Sequence, residues 1–208
     1  FIERARDLFS NQPESTHAQI RWDGDAIPDA LLQRATELGL KHDCGQVMHA
    51  DAMTVVELDG IEIRTLDMER DWEHIVELNI ACDPEELEGA ADYVAFKQGL
   101  RRAWRAWERS GDAVWWGAFI DDRLAGQAGM VRCPERRGRY QSVETHPEFR
   151  RRGVCPALVS HMGDHALREL DCEILLLGAN HLGLAIHIYR RLGFVTGRWQ
   201  HALSDYGE

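Results

Sequence analysis

The chain has 208 residues, 44% of them hydrophobic, and a formal charge of -11. That length suggests one domain or two small ones and is enough to bury a real core. The acidic balance argues against general nucleic-acid binding, which needs a basic face; it suits a cationic or amine-bearing substrate, and equally plain solubility.

Five cysteines, Cys44, Cys82, Cys133, Cys155 and Cys172, are an odd number without tight spacing. No disulfide framework is expected, and a reducing cytoplasm is the default location. No apolar run approaches about 18 residues, so no membrane span is expected, and no signal peptide is visible. The sequence opens on Phe1 rather than Met, so a stretch before it is left open.

In chain order, residues 1–12 read as a short helix with Ile2, Ala5, Leu8 and Phe9 on one side. His17 to Trp22 reads as a strand and Asp23-Gly24-Asp25 as a turn. Pro28 opens a helix with Leu31, Leu32, Ala35 and Leu38 as its apolar stripe, and Gly39 is a natural stop. Gly45 to His49 follows as a strand. Met53–Leu58 and Ile61–Leu66 around Asp59-Gly60 predict a hairpin, because Asp-Gly suits a type I′ turn. Asp67 is a good N-cap for a helix carrying Trp72, Ile75, Val76, Leu78 and Ile80, which Cys82-Asp83-Pro84 breaks. A second helix, Asp92 to Arg109, presents Tyr93, Phe96, Leu100, Trp104 and Trp107 at three- or four-residue spacing. Three strands follow, 113–120, 124–132 and 139–145, the last two separated by a polar loop over 133–138.

The next stretch is the most informative. The strand ending at Thr145 passes a Pro147 turn, enters the basic loop Arg150 to Cys155, and runs into a helix with Pro156 in its first turn. A strand, a loop with free amides and a helix N-terminus form a cradle for a polyphosphate, because the amides point outward and the helix dipole favours negative charge. Arg150, Arg151 and Arg152 add cationic donors. The chain then reads as a helix over 157–170, an apolar strand from Glu173 to Leu177, a helix over 183–191 and a last strand.

Two segments carry a family resemblance. Arg150-x-x-Gly153-x-Cys155 resembles the (Gln/Arg)-x-x-Gly-x-(Gly/Ala) signature of the GCN5-related N-acetyltransferase superfamily, with Cys155 departing from the small residue preferred there. Asn180, then Ala185-Ile-His-Ile-Tyr189-Arg-Arg-Leu-Gly193-Phe194, is similar to that family's Asn...Ala-x-x-Leu-Tyr-x-x-Leu-Gly-Phe segment. The resemblance covers roughly residues 60 to 203. It implies an α/β (α+β) acyl-CoA N-acyltransferase fold, with a mixed, mostly antiparallel sheet flanked by helices over residues 57–208. Residues 1–56 form an N-terminal α/β extension. Its strand-helix-Leu-Gly-Leu-strand order matches the closing part of the chain, so it is either a degenerate half-repeat or an unrelated extension.

The resemblance further implies acetyl-CoA as co-substrate and no metal. Backbone groups of Arg151, Arg152, Gly153, Val154 and Cys155 would meet the pyrophosphate, those of Val143 and Thr145 the pantetheine arm, and the Asn180 amide the same arm. Tyr189 would be the general acid. Glu144 is the acidic candidate for the base, although strand alternation leaves its direction open; His146 or a water chain could serve instead. His161 and His165, at i and i+4, lack the glutamate and third ligand of a zinc site and read as a solvated helix face. Trp104, Trp107, Trp115 and Trp116 either wall an acceptor pocket or pack a helix on the sheet. The expected activity is transfer of acetyl to a small-molecule amine in a ternary complex, without nucleic-acid or membrane partners and with a homodimer left open. A non-catalytic acyl-CoA sensor or scaffold is the alternative.

Overall fold

The computed structural model describes residue 4, residues 18–82 and residues 90–205. Apart from residue 4, the helix expected over 1–12 lies outside the described residues, as does the break at Asp83-Pro84. The elements are β1 (Ala18–Asp23), α1 (Asp29–Glu37), β2 (Lys41–Ala50), β3 (Glu62–Thr65), α2 (Trp72–Cys82), α3 (Ala90–Ser110), β4 (Ala113–Ile120), β5 (Arg123–Cys133) and β6 (Arg137–Thr145). A 3-10 turn (Pro147–Phe149), α4 (Val154–Glu169), β7 (Ile174–Asn180), α5 (Ala185–Arg191) and β8 (Val195–Asp205) complete them. The fold is α/β, with antiparallel and parallel pairing mixed. Among the described residues no helix is long and apolar enough to cross a membrane.

The chain divides into two compact units. The first joins residues 1–48 to residues 178–186 and 195–208. In it β1 pairs antiparallel with β8, from Ala18↔Asp205 to Asp23↔Gln200, and the order continues through β2 to the end of β7. Helix α1 supplies Ala35 to a small core with Ile27, Leu40 and Leu203, and Leu31, Leu32 and Leu38 pack against it. Burying that stripe, not intrinsic propensity, is what stabilises so short a helix.

The second unit comprises residues 49–177 and 187–194. Its strand order is β7-β6-β5-β4-β3. β3 to β6 are antiparallel neighbours, and β6 and β7 are parallel, which a crossover through α4 permits. Trp115 fills the space over Gly129, where an added Cβ would lie 2.8 Å from the indole. Around it α2 and α3 contribute Trp72, Ile75, Leu78 and Trp104 to one core. The other sheet face meets α4: Trp116 packs edge-on to His165 at 5.1 Å, and the Tyr140 hydroxyl donates to Val159 O at 2.7 Å.

Several boundaries differ from the sequence reading. Met53–Leu58 is not a hairpin arm; the Asp59-Gly60 turn forms, but Ile61's strand pairs with β4 instead. The N–H groups of the would-be arm are taken up elsewhere, Thr54 donating to Leu192 O and Val56 to Ser160 Oγ. Asp67 caps a turn and not a helix: its Oδ1 accepts from Glu69 and Arg70 N–H, and α2 starts only at Trp72. The loop before β6 is shorter than 133–138, because Glu135 and Arg136 both adopt positive φ (62° and 54°) and close a tight turn.

Two of the four tryptophans, Trp104 and Trp115, are core residues and stack at 4.7 Å; Trp107, exposed, stacks on Trp115 at 6.3 Å, and Trp116, half-buried, lies on the opposite face with His165. They do not form one wall. His161 pairs with Glu57 at 3.6 Å, so the two helix histidines go to different neighbours.

Candidate active site

In the second unit the β6–β7 ladder runs only from Arg137↔Ile174 to Arg139↔Leu176. β6 continues to Thr145, and between Gln127/Gly129 of β5 and Gln141/Glu144 of β6 the register slips by one residue. Ser142, at φ +48°, sits at that bulge. A bulge bends its strand and re-aims the side chains beyond it. It brings Glu144 opposite Gln127 and Thr145 opposite Gly126.

The strand then meets the bend. His146 N–H donates to Ala125 O at 2.9 Å, and His146 Nδ1 accepts from Glu148 N–H at 3.2 Å, so one ring nitrogen is committed to the 3-10 turn. Phe149 is buried beneath it, with the guanidinium carbons of Arg123 and Arg152 at 4.9 and 5.3 Å from its ring centre. Arg123 also binds Glu148 and holds that carboxyl below its usual range. The turn is therefore pinned from both sides.

Gly153 follows at φ +85°, just before α4. Here the main-chain hydrogen bonds run from Phe149 N–H to His146 O, Arg150 N–H to Pro147 O, and Ala157 N–H to Gly153 O. The N–H groups of Arg151 to Cys155 take no part in them, and Pro156 has none. Among the described residues these five consecutive N–H groups have no main-chain acceptor of that kind, and at the start of a 16-residue helix such donors can cradle an anion. Arg151 and Arg152 are exposed beside it, while Arg150 turns its Nε back to Thr145 O at 3.2 Å. Thr145 O also receives the Cys82 thiol at 3.4 Å, so that carbonyl is already engaged within the protein, whereas Val143 lies on the stretch of β6 beyond the β7 ladder.

Tyr189 of α5 is 5% exposed and packs edge-on to Phe194 at 6.0 Å. Burial, with a smaller contribution from the nearby Cys155, pushes its phenol far above its usual value. The Cys155 thiol is itself pushed up to about 11 by burial, so it is an inert packing group at neutral pH and not a nucleophile.

Glu144 is half-buried, and its Oε2 accepts from Asn79 Nδ2 at 2.5 Å and from Gln127 Nε2 at 2.8 Å. Burial first, then the Glu144 charge, raises the neighbouring Cys82 thiol. Neither Asn79 nor Gln127 figures in the sequence reading. The signal available was a lone amide in each of two apolar runs, Ile75 to Ile80 and Leu124 to Met130. Asn180, in the first unit, uses its Oδ1 to accept from Leu182 N–H at 2.9 Å, a turn-closing bond that leaves its NH2 group for another acceptor.

The Acetyltransferase (GNAT) family model matches residues 72–194, more than half of the chain. The chain belongs to this family. Among solved structures, this GNAT chain is similar to a functionally unknown conserved protein from Staphylococcus epidermidis, with TM-score 0.77 at 15% identity, covering 100% of this chain and 79% of that one. It resembles a GCN5-related N-acetyltransferase from Kribbella flavida, with TM-score 0.68 at 16% identity over 100% of this chain and 74% of the other. A predicted acetyltransferase with acetyl-CoA from Clostridium acetobutylicum matches 63% of this chain and 87% of its own at TM-score 0.51 and 18% identity. At such identities these structures speak for the fold. No curated protein matches the sequence. Family membership implies acyltransferase chemistry with an acyl-CoA donor. Among the described residues no group of three or more metal-ligating side chains comes together.

Proposed function

We propose that this GNAT protein is an acetyl-CoA-dependent N-acetyltransferase that acetylates a small-molecule amine by direct transfer in a ternary complex. The observation that carries this reading is the row of N–H groups from Arg151 to Cys155 at the left-handed Gly153 bend. Those donors receive the pyrophosphate, and Arg150, Arg151 and Arg152 flank it. The main chain of Val143, and to a lesser degree of Thr145, aligns the pantetheine arm.

Acetyl-CoA brings the acetyl group as a thioester. The chain's own residues then have two proton tasks. Glu144 accepts the proton that the amine must lose as its nitrogen forms the new C–N bond. Tyr189 donates to the sulfur as the C–S bond breaks; its phenol is protonated at neutral pH, and the burial that raises its pKa makes it a weaker acid. A departing thiolate has a pKa of roughly 8.5, so this donation helps without dominating, and holding both reactants in place supplies most of the rate.

The domain assignment goes with this reading: residues 57–208 form the acetyltransferase domain and residues 1–56 the extension. The ends of α1 and α5 close alike. Leu38, Gly39 and Leu40 N–H donate to Ala35, Thr36 and Ala35 O, while Leu192, Gly193 and Phe194 N–H donate to Tyr189, Arg190 and Tyr189 O. Ala35 therefore holds the position in its helix end that Tyr189 holds in α5, which fits a degenerate half-repeat.

The test is calorimetric titration with acetyl-CoA followed by a mass-spectrometric screen of amines. Binding with acetylation of at least one amine supports the enzyme. Binding with none acetylated favours a sensor, and absence of binding sinks both.

A further inference from the structure

Gln127 is a polar group that packing does not explain. It is fully buried on β5, between Ala125 and Ala128 on a strand that is otherwise apolar around it. Its Oε1 has no hydrogen-bond partner among the described residues, an arrangement that destabilises the fold when a leucine or methionine could have filled the position. The amide cannot be turned over to relieve this, because its oxygen would then face the Glu144 carboxylate. A local rule broken at a stability cost marks a site where something other than stability is served.

The second amide makes the purpose plain. Asn79, on the sheet-facing side of α2 with Ile75 and Leu78, is 5% exposed and donates to the same Glu144 oxygen as Gln127. Two neutral donors from two different elements converge on Oε2. Glu144 Oε1, by contrast, receives no hydrogen bond among the described residues and is not an enclosed unsatisfied atom. The carboxylate is thus held by one oxygen and presents the other.

We infer that Gln127 and Asn79 are positioning residues that fix the Glu144 carboxylate so that Oε1 alone receives the proton of the incoming amine. The inference rests on Glu144 being the base in the proposed reaction. Neither amide touches substrate; both act through Glu144. Because the proton arrives on the outward oxygen, the two donors keep their bonds to Oε2 before and after transfer, and no reorientation accompanies the step. A base held this way retains its direction without the rotamer search of a free glutamate, which is how a supporting shell contributes to rate.

A double-mutant cycle tests this in the full chain. Gln127→Met keeps the volume and removes the donor. It should lower kcat by about tenfold, leave KM for acetyl-CoA within about twofold, and change kcat by less than about twofold when Glu144 is already Gln. The same four proteins unfolded in urea should show the two substitutions coupled by about tenfold in the unfolding constant. Asn79→Leu should repeat the pattern. Equal kcat losses in both Glu144 backgrounds, or additive unfolding constants, would overturn the clamp. Coupled unfolding with a Glu144→Gln enzyme as fast as wild type would remove both the base and its positioning. If no amine is ever acetylated, the proposed function fails by itself, and the unfolding cycle still decides whether the amides grip Glu144.

Discussion

Tyr189 is a phenol whose burial disfavours its ionisation. Replacing it with Phe keeps the contact with Phe194 and removes the hydroxyl. We expect Tyr189→Phe to lower kcat about 10- to 100-fold at pH 7 with little change in acetyl-CoA affinity, read by steady-state kinetics and calorimetry. An unchanged kcat would remove Tyr189 from the mechanism. Asp71 shows the opposite perturbation. The Arg64 guanidinium, at 2.8 and 2.9 Å, holds its carboxyl far below the usual range, and Asp67 N–H adds to this at 2.8 Å. The folded protein therefore keeps Asp71 ionised when the unfolded chain has already taken up a proton. Its stabilisation is fully present above about pH 4 and fades as the pH falls toward the lower folded value. Asp71→Asn should cost about 2–3 kcal/mol at pH 7. The gap to wild type in urea unfolding should narrow between pH 4 and pH 3; a gap independent of pH would contradict the linkage. At this scale the sequence pointed to Tyr189 and to the arginines through their motifs. Asn79 and Gln127 belong to no motif and became functional candidates only when the bulge at Ser142 placed Glu144 between them.

The bend before α4 concentrates the functional demand on one glycine. Gly153 lies at φ +85°, and a Cβ there would come within 3.3 Å of the Leu58 side chain. Gly153→Ala should cost about 1–2 kcal/mol for the left-handed backbone. It should also weaken acetyl-CoA binding at least about tenfold, because relaxing the strain turns the N–H groups away from a common focus. Thermal unfolding and calorimetry read the two effects separately, and intact affinity would show that the cradle tolerates another backbone. This element was legible in advance, since a Gly flanked by basic residues between a strand and a helix with an early Pro has few local solutions. The segment before β3 was not. Asp59-Gly60 does form its turn, but Met53–Leu58 finds acceptors on Leu192 and Ser160, distant in sequence. Local turn chemistry specifies a reversal of the chain; it does not specify what the arm entering it will pair with. The turn at Asp121-Asp122 falls in the gap that the sequence leaves between two strands, whereas that at Glu135-Arg136 carries its positive φ values on residues without the usual Asn-Gly signature.

At the scale of the whole molecule, each unit depends on a different kind of contact. The second has an aromatic core in which Trp104 is 2% exposed, stacked on Trp115 and edge-on to Trp72 at 6.3 Å. Trp104→Ala should cost about 3–5 kcal/mol in chemical denaturation, and a cost below about 1 kcal/mol would mean that the stack is not the core it appears from its burial. The first unit is assembled from the two ends of the chain: β1 lies on β8, and Leu203 packs with Ile27, Ala35 and Leu40. Removing residues 1–40 should therefore leave β8 without its β1 partner and expose Leu203. Amide hydrogen exchange over Ala202 to Asp205 should rise sharply in the truncated protein; unchanged protection would show that β8 holds its place without β1.

What the sequence determined by itself was whatever neighbouring residues settle among themselves. Helix stripes, glycine stops, the glycine bend before α4 and the family all fall into that class, because their signals repeat within a few residues or one turn. Tertiary structure alone decided three things: that Trp104 and Trp115 pack the core, that the front of the chain pairs with its end, and that two buried amides face Glu144. Each depends on contacts between residues far apart in sequence, where burial and the need to satisfy a polar group outweigh any local preference.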